Sequence, residues 1–177
     1  AHGLVDVASS LGWLEPCLAA IEFSQMLVQA CWDYDSPLKQ LPKPVEGVET
    51  VYDLMDMDPA ARQLAAENED FLRHYPNVEI RPQLESSSRC LVSFKRPVEA
   101  PLQVHAPLYP QSLVEGWWLI LARDTTLVAI KRMIIKEGVS EQTMELEWDE
   151  EEAAPNRLLA MCDGYLGADQ EFDLIKQ

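Results

Sequence analysis

The chain has 177 residues, 47% of them hydrophobic, which is enough for one ordinary domain or two small ones with cores of their own and argues against a disordered chain. Fourteen basic against thirty acidic residues give a formal charge of −16, a field that repels phosphate and speaks against direct nucleic-acid binding. The acid gathers in residues 145–152 and in DLMDMD, reading as a solvated face; the basic clusters, Lys95 with Arg96 and Lys131 with Arg132, are too small to outweigh it.

From residue 1 to about Tyr75 the apolar pattern is helical. HGLVDVASSLGWL and PCLAAIEFSQMLVQACW form two helices, with Pro16 suited to the start of the second. In that second helix Leu18, Ile21, Val28 and Trp32 mark one side, while Phe23, Met26, Leu27 and Ala30 mark the other. A helix apolar on most sides is expected inside, with neighbours all round. One companion is thin shelter for it, and with a first residue that is not methionine it reads as the end of a larger bundle cut from a longer polypeptide. A proline-bearing connector, DYDSPLKQLPKPVEG, leads to a short helix over VETVYDLMDM. A second helix is expected over DPAARQLAAENEDFLRHYP, where Asp58 is a good N-cap, Pro59 fits the first helical position and His74, Tyr75 and Pro76 end it. Trp13 and Trp32 read as core anchors.

From Val78 the period changes to two. VEIRPQL, CLVSFKR, LQVHAPL, WWLILAR, LVAIKRMII, TMELEW and RLLAMCD with EFDLI give about seven short strands, the spacing of an immunoglobulin-like sandwich. No Cys…Trp…Cys staple accompanies them, so a fibronectin type III-like variant fits better. Helices followed by strands make the fold class α+β, divided into residues 1–45 as the end of a helical bundle, 46–76 as a helix-loop-helix and 77–177 as the sandwich. In WWLILAR, Trp117, Leu119 and Leu121 face one way and Trp118, Ile120 and Ala122 the other. Both faces are apolar, so one must fill the sandwich and the other must dock elsewhere. The expected assignment puts Trp118 and Ile120 in the core, and Trp117 and Leu119 against the helical half or a neighbouring domain.

The residues offer little chemistry. No phosphate-cradling glycine loop occurs, so no nucleotide site is expected. His2, His74 and His105 lie far apart in sequence, without a nucleophile or zinc-protease motif. Asp53 with Asp56, and Glu145 with Glu147, are carboxylate pairs in dense acid, where solvent-facing roles dominate. Cys17, Cys31, Cys90 and Cys162 form no C-x-x-C pair; the first two read as core thiols, which fits a reducing compartment. No apolar run reaches the length of a membrane span, and no signal peptide is visible. No catalytic, cofactor-binding or metal-ligating residue is therefore expected.

The ordered motifs GWL, SPLKQLP, VYDLMDM, RHYPNVEI, EGWWLILARD, LVAIKR and CDGYLGADQEFDL resemble the Sec sixty-three homology unit over nearly the whole chain. The closer resemblance is to the last such unit in the spliceosomal RNA helicases of the Ski2-like family. VYDLMDM favours these over two other carriers of the unit, an endoplasmic-reticulum translocation subunit and a signal-cointegrator helicase. In the family the unit comprises a helical bundle, a helix-loop-helix and an immunoglobulin-like domain packed on a helicase core. Tyr165, Gly167, Asp169, Gln170 and Glu171 match its Y-x-G-x-DQE motif and point to the second, C-terminal cassette. That cassette is catalytically quiet and regulatory in the family, while the first unwinds the U4/U6 duplex. The resemblance implies a nuclear, non-catalytic scaffold for pre-mRNA splicing, whose partners are its parent helicase cassette and spliceosomal proteins, with no direct nucleic acid and no membrane. A free-standing immunoglobulin-like binding module is the reading from a different class. The family pattern carries more residues between LKQLP and VYDLMDM, within the second helix of the helix-loop-helix and before CLVSFK. Residues 1–14 resemble the end of the family's ratchet-type helix, which touches nucleic acid in active members, but they offer Asp6 and no Arg or Lys.

Overall fold

A computed structural model describes residues 2–62, 64–151 and 154–174. Helices come first and strands second, so the fold is α+β, with two antiparallel sheets. Among the described residues no helix is long and apolar enough to cross a membrane.

Helices α1 (His2–Ser10) and α2 (Leu14–Gln29) form a hairpin around Gly12, whose φ of +69° is costly for a residue with a Cβ. Pro16 sits in the first turn of α2, where a missing N–H costs nothing. The helix stops at Ala30 in the left-handed region, and the Cys31 N–H donates to the Met26 carbonyl at 3.1 Å. One companion helix does prove thin shelter for α2: Leu14, Cys17, Ile21 and Val28 are buried, but Phe23 and Leu27 are about half exposed, and Trp32 beyond the helix is 64% exposed. The hairpin lies on one sheet and turns its second apolar side outward, so of the two expected tryptophan anchors neither Trp13 nor Trp32 is buried.

After a 3-10 turn (Pro37–Gln40), helix α3 (Val51–Asp56) opens with a reciprocal cap: the Asp53 N–H donates to Thr50 Oγ1 at 3.1 Å and the Thr50 N–H to Asp53 Oδ2 at 2.8 Å. Asp58 accepts the Ala60 N–H at 2.8 Å and caps α4 (Pro59–Arg62), as its position suggested. The single helix expected from there to His74 is two, since α5 (Ala66–His74) begins anew after an extended Ala65. The break lets Arg62 reach Glu69 at 2.8 Å and the Leu54 carbonyl at 3.1 Å. In one straight helix, residues seven apart are about 10 Å apart along the axis.

Strands β1 (Glu79–Leu84), β2 (Arg89–Lys95) and β5 (Glu141–Glu147) make one sheet in the order β1-β2-β5. Strands β3 (Gly116–Arg123), β4 (Thr126–Ile134), β6 (Arg157–Cys162) and β7 (Gln170–Asp173) make the other, in the order β4-β3-β6-β7. The fourth strand thus pairs with the third, whereas in an antibody constant domain it lies beside the fifth. The strand expected over LQVHAPL is absent: that stretch makes a lone bridge between Gln103 and Val114. Pro101 and Pro107 supply no N–H, and the His105 N–H is spent on the Tyr165 hydroxyl at 2.7 Å. RLLAMCD and EFDLI form separate strands, so among the described residues the strand number holds at seven; Ile175 lies outside them.

Strand β3 is buried on both faces, as expected, but the assignment of faces is reversed. Trp117, Leu119 and Leu121 enter the space between the sheets with Val92, Phe94 and Leu146, and the Trp117 ring meets Phe94 edge-on at 5.7 Å. Trp118, Ile120 and Ala122 face outward beneath Val5, Ala8, Leu14, Cys17 and Ile21 of the hairpin. Helices α3 and α5 share the inner core instead, through Val51, Leu54 and Phe71, with Tyr75 at the end of α5. What holds Trp117 inward is polar as well as apolar: its indole N–H donates to Glu115 Oε1 at 2.8 Å in a buried site.

Candidate functional site

The loop from Cys162 to Gln170, between β6 and β7, joins three parts of the fold. Two glutamines one turn apart on α2 reach into it. Gln25 Nε2 donates to the Cys162 carbonyl at 2.7 Å and to the Asp169 carboxylate at 3.0 Å. Gln29 Nε2 donates to the Gly164 carbonyl at 2.6 Å. From the 3-10 turn, Gln40 accepts the Leu166 N–H and returns a bond to the Leu166 carbonyl, both at 2.8 Å. From the end of α5, the Tyr75 hydroxyl donates to that same carbonyl at 2.9 Å. Carbonyls inside such a loop would otherwise lie dry and unpaired, at a cost of about 1 to 3 kcal/mol each.

Each motif residue has a structural task. The Tyr165 ring is fully buried between Phe71 and Tyr75, with centroids 5.8 and 5.2 Å away. Gly167 has a φ of +77°, and a Cβ there would come within 3.1 Å of Pro37. Asp169 accepts the Cys162 N–H at 2.8 Å. Desolvation by the surrounding loop pushes its carboxyl up to about 6 against the pull of Gln25 and the Cys162 N–H, but the residue as a whole is exposed to water, which screens the effect. Gln170 donates to the Val78 carbonyl at 3.4 Å, and Glu171 pairs with Arg157 at 3.0 Å. Asp163 accepts the Gly116 N–H at 3.2 Å and pairs with Arg132. The arrangement is a latch that fixes α2, the helix-loop-helix and the sheets to one another.

The fold brings together two of the three scattered histidines. His74 and His105 have ring centroids 5.6 Å apart, and His105 Nε2 lies 3.7 Å from Asp70 Oδ2. No metal-holding group of His, Cys, Asp and Glu occurs among the described residues. His2 lies apart, edge-on to Trp118 at 5.6 Å. The carboxylate pairs are structural: Asp53 caps α3, and Glu145 and Glu147 both pair with Arg89, at 2.9 and 3.2 Å. Of the basic clusters, Arg96 is buried 3.5 Å from Glu115, Arg132 is held by Asp163 over the Trp118 ring, and Lys131 donates to the Glu145 carbonyl at 2.7 Å. The four cysteines are unpaired and buried. Burial raises each thiol, that of Cys17 to about 11, so they are poor nucleophiles.

Sequence reasoning missed Gln25, Gln29 and Gln40 as the other half of the latch. The available signal was two glutamines four apart, and so on one face, in a mostly apolar helix, since buried polar side chains need partners.

Residues 1–175 match the family profile described as the Sec63 Brl domain. Among curated proteins the chain is similar to the U5 small nuclear ribonucleoprotein 200 kDa helicase of Homo sapiens, 35% identical over 195 residues, covering 95% of this chain and 9% of that protein. It is similar to the pre-mRNA-splicing factor brr2 of Schizosaccharomyces pombe, 33% identical over 196 residues and covering 94% and 9%. It is also 32% identical over 205 residues to the DExH-box ATP-dependent RNA helicase DExH12 of Arabidopsis thaliana, covering 97% and 9%. The chain thus spans about a tenth of the length of these relatives.

Proposed function

The chain belongs to the Sec63 Brl domain family, and from that premise we propose that it serves as a non-catalytic scaffold and protein-interaction unit of a nuclear, spliceosomal ATP-dependent RNA helicase, at the C-terminal end of its second cassette. The division into bundle end (1–45), helix-loop-helix (46–76) and immunoglobulin-like sandwich (77–177) belongs to the same reading. The observation that carries it is the latch: Gln25, Gln29, Gln40 and Tyr75 all bind one loop, making helices and sheets a rigid frame on which neighbours can be held. The names of the relatives, each a helicase or splicing factor of which this unit is a small part, support the setting. Direct RNA binding is not part of the proposal, because Arg96 and Arg132 are already paired with Glu115 and Asp163 and the net charge is −16. Its partners are the parent cassette and spliceosomal proteins.

The test is direct. The purified chain is expected neither to hydrolyse ATP nor to bind single-stranded RNA in a salt-sensitive way, and to retain splicing proteins from nuclear extract. ATP turnover, or tight RNA binding at physiological salt, overturns the proposal.

A further inference from the structure

The two sheets meet differently at their two flanks. On one flank β4 and β5 are tied by Lys131, which donates to the Glu145 carbonyl. On the other lie the edge strands β1 and β7, each paired among the described residues on one side only, with β2 and β6. They are joined at one end by Gln170 and the Val78 carbonyl. Towards the other end the space opens into a groove of about 880 Å³.

Three features of the groove define what would fill it. Its apolar lining comes from Leu84, Trp148 and Leu174. Its charged lining is Glu85 and Asp173, both exposed, with no Lys or Arg among the lining residues. Beyond them Glu150 accepts from Ser87 and Ser88, while the nearest strand arginines are already matched, Arg81 by Glu79 and Arg89 by Glu145 and Glu147. Third, Trp148 is only 8% exposed, yet its indole N–H has no acceptor among the described residues. An unmet buried donor is costly, and a carbonyl brought by a ligand would satisfy it.

We propose that this groove is a docking site for a basic, extended segment of a partner protein. The segment lies extended along the outer edge of β1, where Pro82 offers no N–H for a continuous ladder, so its alternate side chains rather than its main chain read the lining. A Lys or Arg lays its aliphatic stem on Trp148 and Leu84 and presents its cation to Glu85 and Asp173. A main-chain carbonyl takes the Trp148 N–H after a small turn of the indole. This deepens the reading as a protein-interaction unit and rests on it only in part, because the peptide assay is independent of ATP, RNA and nuclear extract.

The probe is a fluorescent octapeptide of alternating Val and Lys, titrated into the ¹⁵N-labelled chain at physiological salt and followed by anisotropy and amide shifts. Its counterpart of alternating Val and Glu is the control. Saturable binding of the Lys peptide alone is expected, with shifts confined to β1, Trp148 and residues 173–174. The double variant Glu85→Lys, Asp173→Lys should weaken it by about ten-fold or more, since opposed like charges are costly. Trp148→Phe should weaken it several-fold. Glu46→Lys with Glu137→Lys makes the same charge change on exposed residues elsewhere and should leave affinity within about two-fold. If both double variants weaken binding equally, the peptide is only sampling the acidic surface and the proposal fails. It fails equally if the two peptides bind alike or if the shifts fall elsewhere. Melting curves confirm that each variant is folded before it is scored.

Discussion

Replacing each of the two adjacent tryptophans in turn should break different parts of the molecule. Trp117 is fully buried between the sheets and Trp118, 6% exposed, lies under the helical hairpin. A buried indole removes about 150 to 250 Å² from water, which at about 25 cal/mol per Å² is about 4 to 6 kcal/mol; measured truncations of this kind cost about 3 to 5 kcal/mol. Trp117→Ala should lose that amount from the whole fold and strip Glu115 of its indole donor. Trp117→Phe keeps most of the apolar area and isolates the lost bond, about 1 to 3 kcal/mol. Trp118→Ala should lose a similar amount from the outer layer alone. Hydrogen exchange read by mass spectrometry separates these outcomes. Trp118→Ala should speed exchange in α1 and α2 by roughly a hundred- to a few thousand-fold while β2 and β5 stay protected. Trp117→Ala should raise exchange everywhere. If Trp118→Ala exposes β2 and β5 as much as the helices, the assignment of faces is wrong.

Three more outcomes can be checked. Gln25→Ala removes the amide shared by the Cys162 carbonyl and Asp169, and should cost about 1 to 3 kcal/mol in urea unfolding; a neutral result would mean that the latch contributes nothing. Gly167→Ala combines a φ of +77° with a Cβ 3.1 Å from Pro37 and should destabilise by about 1 to 3 kcal/mol, lowering the melting temperature, whereas an unchanged melting temperature contradicts the crowding. Burial raises the Glu115 carboxyl above its ordinary value, outweighing Trp117 and Arg96. The folded state therefore holds that proton at pH values where the unfolded state has released it. Its contribution is fully present below the unfolded value near 4.5 and is lost as pH rises through the raised one. Urea unfolding across that window should show a fall in stability that is missing in Glu115→Gln, and parallel profiles for the two proteins would refute it.

The order of helices then strands, the start of α4 at Asp58 and Pro59, and six of the seven expected strand stretches were legible because they depend on period and on residues within a turn of one another. The same logic made β3 apolar on both faces, whereas Tyr165, Gly167, Asp169 and Gln170 were singled out by their resemblance to a family motif and not by period. Period alone could not say which tryptophan points inward: alternation defines two faces and is indifferent to a swap between them when both carry equal bulk. Only the tertiary structure chose, through Glu115 for Trp117 and the hairpin for Trp118. It also decided the latch, whose bonds from Gln25 and Gln29 to Cys162 and Gly164 join residues more than a hundred positions apart. Sequence pattern registers glutamine as a polar interruption in an apolar helix, and its partners exist only once the chain has closed. For the same reason Arg96 and Arg132 read as surface charge until the fold buried the first beside Glu115 and paired the half-buried second with Asp163.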